Sequence, residues 1–122
     1  MNKMKYVATI ALVLAMTFSL SAQTDIIGVW KVGEDNTKVE FYQKEQGVID
    51  GKIISSDNPK AKIGKNLVKD VQYKAGEWKG KVYSPKKKKW YDATLERKQD
   101  KLEVAISVGF FSKTMEWKNV KP

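Results

Sequence analysis

Residues 91–108 read YDATLERKQDKLEVAISV, and apolar and polar side chains alternate on both sides of a polar break at residues 99–101. Before the break, Tyr91, Ala93 and Leu95 share one parity. After it, the apolar set is Leu102, Val104, Ile106 and Val108. Alternation of period two is typical of β-strands that have one buried face and one solvent-exposed face. The stretch therefore predicts two strands that are joined by a tight turn.

The same alternation recurs through most of the chain after Thr24, and short turn-like segments separate the runs. The further alternating runs cover residues 38–42, 49–53, 78–82 and 114–117. Several short strands with regular turn signals predict an all-β sandwich or barrel. The simplest arrangement is a small antiparallel up-and-down β-barrel of about seven to eight strands.

Two parts of the pattern are less regular. A first strand over residues 27–32 alternates imperfectly, and residues 55–69 form a long turn-rich segment with room for one helical turn. A weak strand over residues 70–74 follows this segment. If residues 70–74 pair, the barrel closes with about eight strands. If they do not pair, the alternative is an open, strongly curved sheet of seven strands.

The N-terminus has the layout of a secretory signal peptide. Lys3 and Lys5 precede an apolar run over residues 6–20, and small residues follow this run. The run of about fifteen residues is shorter than the roughly twenty that span a bilayer. We therefore expect residues 1–22 to be removed, leaving residues 23–122 as one periplasmic or extracellular barrel domain without a stable transmembrane span. A retained N-terminal anchor is the alternative.

The composition excludes several chemistries. The chain has no Cys and no His, which removes disulfides, thiol nucleophiles, His-ligated zinc and imidazole catalysis. The 23 Lys and Arg residues outnumber the 14 Asp and Glu residues, and Arg97 is the sole arginine. Lysine contacts phosphates, whereas the readout of bases favours arginine, of which the chain has one. Because export is also predicted, we expect no nucleic-acid partner. We also expect no metal and no cofactor.

Alternation places six acidic residues on the outward face, namely Glu40, Asp50, Asp92, Glu96, Glu103 and Glu116. A glycosidase-type pair needs two carboxylates about 5–9.5 Å apart in a cleft. Outward carboxylates instead pair with lysines on neighbouring strands. The expected partners are Lys38, Lys52, Lys79 and Lys81. We therefore expect no catalytic residues and no enzyme activity.

Lysines cluster in two predicted connections, one within residues 55–69 and one at residues 86–89. Alternate connections of an up-and-down barrel lie at the same end, so both clusters would border one mouth. Such a rim raises the local positive potential and attracts anions. The candidate ligand-binding residues are Lys60, Lys62, Lys65, Lys86, Lys87 and Lys88. The alternative is solvated charge that protects against aggregation.

Three further residues are candidates for closing the barrel. Gly28-Val29-Trp30 opens the first strand, and a Gly-x-Trp at this place resembles the start of lipocalin-like barrels, where the Trp fills one end. Arg97 shares the inward parity of Leu95 at a strand end, where a guanidinium can stack on a tryptophan and donate to carbonyls. A solvated Arg97 is the alternative.

An ordered series of motifs runs from the first strand to the C-terminus. The series is Gly28-Val29-Trp30, Val39-Glu40-Phe41-Tyr42, Gly51-Lys52-Ile53, Asp57-Asn58-Pro59, residues 77–85 (EWKGKVYSP), Lys89-Trp90-Tyr91, Leu102-Glu103-Val104, Gly109-Phe110-Phe111 and Trp117. This order resembles the bacterial domain of unknown function 2147 family. The resemblance implies a small exported barrel similar to lipocalins and fatty-acid-binding proteins, with no established activity. The four lysines after Pro85 depart from the family pattern, so the basic mouth is expected to be a property of this chain.

Two functions remain open. The first is a barrel that holds a small amphiphilic or anionic ligand (lipid, fatty acid or glycan) in its interior, with lysines on the acidic head. The second is an interior filled by the protein's own side chains. The side chains bulky enough to fill it are Trp30, Phe41, Trp78, Tyr91 and Trp117. In that case the protein is a structural or interaction module of the envelope that uses its basic rim.

Overall fold

A computed structural model describes residues 25–121, and the predicted signal peptide lies outside this part of the chain. Eight antiparallel strands follow one another in chain order and close into a barrel by pairing of the first with the last. The strands are β1 (Gly28–Val32), β2 (Thr37–Glu45), β3 (Val48–Ser55), β4 (Asn66–Lys74), β5 (Glu77–Ser84), β6 (Lys89–Lys98), β7 (Lys101–Val108) and β8 (Phe111–Asn119). The predicted up-and-down barrel is thus confirmed, and the seven-stranded open sheet is excluded.

The core of the barrel consists of buried apolar side chains, most of them at alternating strand positions. They form one cluster of sixteen buried residues: Ile26, Trp30, Val39, Phe41, Ile49, Ile53, Leu67, Val68, Val71, Trp78, Val82, Ala93, Leu95, Leu102, Val104 and Trp117. Phe41 meets Trp117 edge to face, with ring centroids 6.2 Å apart. Burial of this apolar surface is the main force that stabilises the fold.

The fourth strand begins earlier than its sequence pattern predicts. β4 starts at Asn66 instead of Asp70, and residues 56–65 form turns without a helical turn in the described chain. A β-bulge explains the difference, because Asp70 adopts a φ of 57° and the register with β3 shifts there. Val68 and Val71 both face the core on either side of the bulge. The extra residue breaks the period-two pattern that reveals a strand.

Asp50 faces the outer side of β3, where alternation predicts a solvated carboxylate, but its side chain is only 2% exposed. Its carboxylate accepts hydrogen bonds from the Asp70 backbone N–H at 2.9 Å and from Asn66 Nδ2 at 3.1 Å. The expectation that Asp50 pairs with an outward lysine is therefore wrong. The carboxylate instead satisfies the N–H that the bulge removes from the strand ladder.

The seam between β1 and β8 is the shortest ladder of the barrel. It holds the two residue pairs Trp30↔Asn119 and Lys31↔Lys118. Beside them, Val29 O accepts from Val120 N at 2.9 Å and from Asn119 Nδ2 at 3.3 Å. Closure at this seam leaves the eight strands without a fully open sheet edge, which limits edge-to-edge association.

Candidate functional site: a basic rim at one end of the barrel

The eight-strand order places the connections after β1, β3, β5 and β7 at one end, which we call the mouth. These connections cover residues 33–36, 56–65, 85–88 and 109–110. The chain enters the barrel at the opposite end. All six lysines predicted to bind a ligand lie in the mouth connections and are exposed: Lys60, Lys62, Lys65, Lys86, Lys87 and Lys88. We call these six lysines the basic rim.

The longest connection is held in place by hydrogen bonds to its neighbour. Asp57 N donates to Asp35 O at 2.9 Å, and Asn58 Nδ2 donates to a carboxylate oxygen of Asp35 at 3.2 Å. Asn58 Oδ1 in turn accepts from the backbone N–H of Lys60 at 2.9 Å. This Asx turn orders the start of the loop, so the loop lysines project from a fixed backbone.

The second lysine segment is a four-residue connection after Ser84. The Ser84 carbonyl accepts from Lys88 N at 2.7 Å, and its Oγ accepts from Lys87 N at 3.2 Å. Lys88 lies in the left-handed region with a φ of 55°. The turn therefore presents three successive lysines to solvent.

Two lysines of the predicted clusters lie on strands instead: Lys89 begins β6, and Lys69 lies in β4 with its ammonium 4.2 Å from the Trp90 ring centroid.

Charge is distributed unequally between the two ends. Within residues 25–121, the mouth connections hold six lysines and three acids, whereas the segments at the opposite end hold one lysine and two acids. The acids of the mouth are Glu34, Asp35 and Asp57. Like charges gathered at one end create a positive potential there. The mouth is thus the electropositive pole of the described barrel.

Ion pairs lie away from the basic rim. The five in the described chain are Glu40–Lys52, Glu77–Lys79, Lys81–Asp92, Lys98–Glu103 and Lys101–Glu116. The hydrogen bond and charge of Glu103, with the charges of Glu96 and Glu116, raise the pKa of Lys98. Among residues 25–121, no rim lysine has a carboxylate oxygen within 4.0 Å. Two of the expected cross-strand pairs form, at Lys52 and Lys81, whereas Lys79 pairs within its own strand.

The three candidates for barrel closure come together at the opposite end. The Arg97 guanidinium lies 5.4 Å from the Trp30 ring centroid, and it donates at 2.8 Å to the carbonyls of Asp25 and Gln99. Trp30 Nε1 donates to Ile26 O at 3.0 Å. Gly28 adopts a φ of 138°, a conformation that residues with a Cβ rarely adopt. These contacts tie the entering chain to β1 and to the β6–β7 connection.

One feature of the mouth was not predicted as a site. Phe110 is fully exposed and Phe111 is 67% exposed at the β7–β8 connection, and Ile63 is 60% exposed between two rim lysines. The signal in the sequence was a pair of aromatics directly after a turn glycine, Gly109. Large apolar side chains at a turn tip cannot reach the core of the barrel. The mouth therefore combines exposed lysines with exposed apolar side chains.

No group of three metal-ligating side chains occurs among residues 25–121. In the same part of the chain, no helix is long and apolar enough to span a bilayer.

A family model described as uncharacterized protein conserved in bacteria (DUF2147) matches residues 28–119. The match runs from the first residue of β1 to the last of β8. No curated protein and no solved structure matches the chain.

Proposed function

The chain belongs to the bacterial DUF2147 family, and for this member we propose a non-catalytic module of the bacterial envelope that binds an anionic component through its basic rim. The observation that carries the proposal is the placement of six exposed lysines at one mouth without a carboxylate partner in residues 25–121. The predicted signal peptide supports a location in the envelope, where phosphorylated lipids and anionic glycans supply acidic groups.

The unpaired state of the rim lysines favours binding over a purely structural role. Surface lysines that stabilise a strand form ion pairs with carboxylates on neighbouring strands. Lys52 and Lys81 form such pairs on the barrel wall. The rim lysines keep their full charge available to an incoming anion. Exposed charges interact across roughly 8 Å at physiological ionic strength, so neighbouring lysines act together on one ligand.

The packed interior favours the rim over the lumen as the binding surface. Trp30, Phe41 and Trp117 are almost fully buried inside the barrel and belong to one apolar cluster. A ligand in the lumen would have to displace these buried side chains, at a cost in packing energy. Native mass spectrometry of protein from its own host tests this directly. Protein that consistently carries a bound lipid would favour the lumen instead of the rim.

The rim is tested by a triple substitution, Lys86→Ser/Lys87→Ser/Lys88→Ser. Isothermal titration with inorganic polyphosphate at two salt concentrations measures affinity and its salt dependence. We expect the triple variant to bind about tenfold more weakly and with a flatter salt dependence, since it has lost three charges from the contact surface.

The matched control is Lys44→Ser/Lys74→Ser/Lys121→Ser, which removes the same charge from exposed lysines at the opposite end. Its affinity for polyphosphate should stay within about twofold of the wild type, because these charges lie remote from the rim. Equal weakening in both triple variants would show that net charge, and not the rim, attracts the anion. Circular dichroism verifies that both variants fold.

A further inference from the structure

The β7–β8 connection is a two-residue turn that projects an aromatic side chain. Val108 pairs with Phe111, so Gly109 and Phe110 alone make the turn. Gly109 has a φ of 63°, and Phe110 lies outside the left-handed region. Glycine at the first central position with positive φ is characteristic of a type II′ hairpin. This geometry presents Phe110 to solvent at the tip.

The tip separates from the strands on both sides. Pairing of β6 with β7 ends at Ala93↔Ile106, and pairing of β1 with β8 involves only Lys118 and Asn119 of β8. Within the described chain, residues 107–112 therefore pair only with one another. We call residues 107–112 the hairpin tip. Its apolar end is not covered by a neighbouring strand.

The hairpin tip lies next to one of the two lysine-bearing connections of the mouth. In barrel order its neighbouring mouth connections are residues 85–88, which carry three rim lysines, and residues 33–36. A second exposed apolar side chain, Ile63, lies in the connection that carries the other three rim lysines. The hairpin tip thus has three rim lysines on one side and two acids, Glu34 and Asp35, on the other, and a further exposed apolar side chain lies among the remaining rim lysines.

We propose that the mouth docks on the surface of an anionic lipid bilayer, with Phe110 and Phe111 inserted at the headgroup level and the basic rim against the headgroups. The inference rests on the proposed function, since it names the anionic component that the rim binds. Lysines near an anionic membrane surface each add attraction, and apolar side chains that enter the boundary make the attachment less sensitive to salt.

A bilayer fits these observations better than a protein partner. The exposed apolar side chains lie at two separate places of the mouth, Ile63 in the β3–β4 connection and Phe110 and Phe111 at the hairpin tip. Docking on a membrane requires only a surface charge opposite to that of the lipid headgroups and apolar side chains that can enter the headgroup region. The six rim lysines supply the charge complement, and the hairpin tip supplies the side chains that enter.

The test is co-sedimentation of the mature protein with vesicles of phosphatidylethanolamine and phosphatidylglycerol, with phosphatidylcholine vesicles in parallel. We compare the wild type with Phe110→Ser/Phe111→Ser and with Tyr73→Ser, which removes an exposed aromatic on β4 near the opposite end. The double variant should bind the anionic vesicles about tenfold more weakly, and Tyr73→Ser should bind like the wild type. Binding to phosphatidylcholine should be weak for all three proteins.

Titration with polyphosphate separates this inference from the proposed function. The Phe110→Ser/Phe111→Ser variant should bind polyphosphate as the wild type does, because it keeps every lysine of the rim. A wild type that binds polyphosphate through the rim but binds no anionic vesicles would overturn the membrane inference and leave the proposed function standing. Equal vesicle binding by wild type and double variant would also overturn it. A wild-type dimer that the same substitutions convert to a monomer, without a change in vesicle binding, would identify a second copy as the occupant instead.

Discussion

Asp50 shows how a single side chain can support a strand irregularity. Its carboxylate is the only buried charged group of the described chain, and it accepts from the Asp70 N–H and from Asn66 Nδ2. Asn66 also accepts from the Tyr42 hydroxyl at 3.1 Å, so the network reaches β2. The carboxylate therefore links the bulge of β4 to the neighbouring strands β2 and β3.

Removing this carboxylate should destabilise the barrel. We expect Asp50→Ala to lower the free energy of unfolding by about 2 kcal/mol, because the Asp70 N–H and Asn66 Nδ2 both lose their acceptor. Asp50→Asn keeps one oxygen and should cost less. Urea unfolding followed by tryptophan fluorescence measures both. Asp92→Ala, which removes an exposed carboxylate, should change stability by at most about 0.5 kcal/mol. An Asp50→Ala cost as small as that of Asp92→Ala would refute the role of Asp50.

Gly80 lies opposite the same bulge, on β5. An added Cβ would come within 2.5 Å of Val71 Cγ2, 2.8 Å of Val71 Cα and 2.9 Å of the Lys69 carbonyl oxygen. Two of these three atoms belong to the backbone and cannot rotate away. The bulge in β4 therefore requires glycine at this position, and residues 50, 70 and 80 form one structural unit across three strands.

At the scale of the strands, the period-two pattern predicts the elements wherever the ladder is regular. β5, β6 and β7 pair without a register shift, and their alternation is visible in the sequence. Alternation predicts only the second half of β4, because the bulge places Val68 and Val71 on the same face at a spacing of three. A local rule of alternation cannot find a strand whose regularity is interrupted by contacts with its neighbours.

The β4–β5 turn carries strain that one substitution can relieve. Ala75 and Gly76 form a two-residue connection in which both residues have positive φ, at 53° and 81°. A type I′ turn favours Asn-Gly, because asparagine tolerates the left-handed region better than alanine does. Ala75→Asn should therefore raise the free energy of unfolding by roughly 0.5–1 kcal/mol in thermal or urea unfolding.

Gln46→Asn is the control for the turn, since Gln46 precedes a glycine in the β2–β3 connection but lies outside the left-handed region. It should leave the unfolding midpoint nearly unchanged. If both variants shift the midpoint equally, asparagine acts through general polarity and the backbone strain at Ala75 is not the cause.

At the scale of the whole molecule, the two ends of the barrel differ in chemistry. The mouth carries the basic rim and the exposed hairpin tip, and the opposite end is tied together by Arg97, Trp30 and the entering chain. Arg97 contacts both the chain entry at Asp25 and the β6–β7 connection at Gln99. The closed end thus ties the entering chain to the barrel, and the mouth is the end at which we propose binding.

Arg97→Lys should weaken the closed end. A lysine ammonium cannot donate to both carbonyls in the fork geometry of a guanidinium, and it stacks less well on the tryptophan ring. We expect the free energy of unfolding to fall by about 1–2 kcal/mol and amide exchange at residues 25–27 to accelerate. The Lys121→Ala variant, which changes an exposed residue at the same end, should do neither. Unchanged exchange in Arg97→Lys would show that Arg97 does not anchor the chain entry.

The sequence by itself determined the pattern of the regular strands and the inward set of their apolar residues, and it placed both lysine clusters at a common end only on the condition that residues 70–74 pair. These follow from alternation and connectivity, which are local properties of the chain. Only the tertiary structure decided that Asp50 is buried, that β4 begins at Asn66, and that the hairpin tip separates from its neighbouring strands. Each of these depends on contacts between residues far apart in the chain, and a bulge or an uncovered turn has no periodic signal of its own.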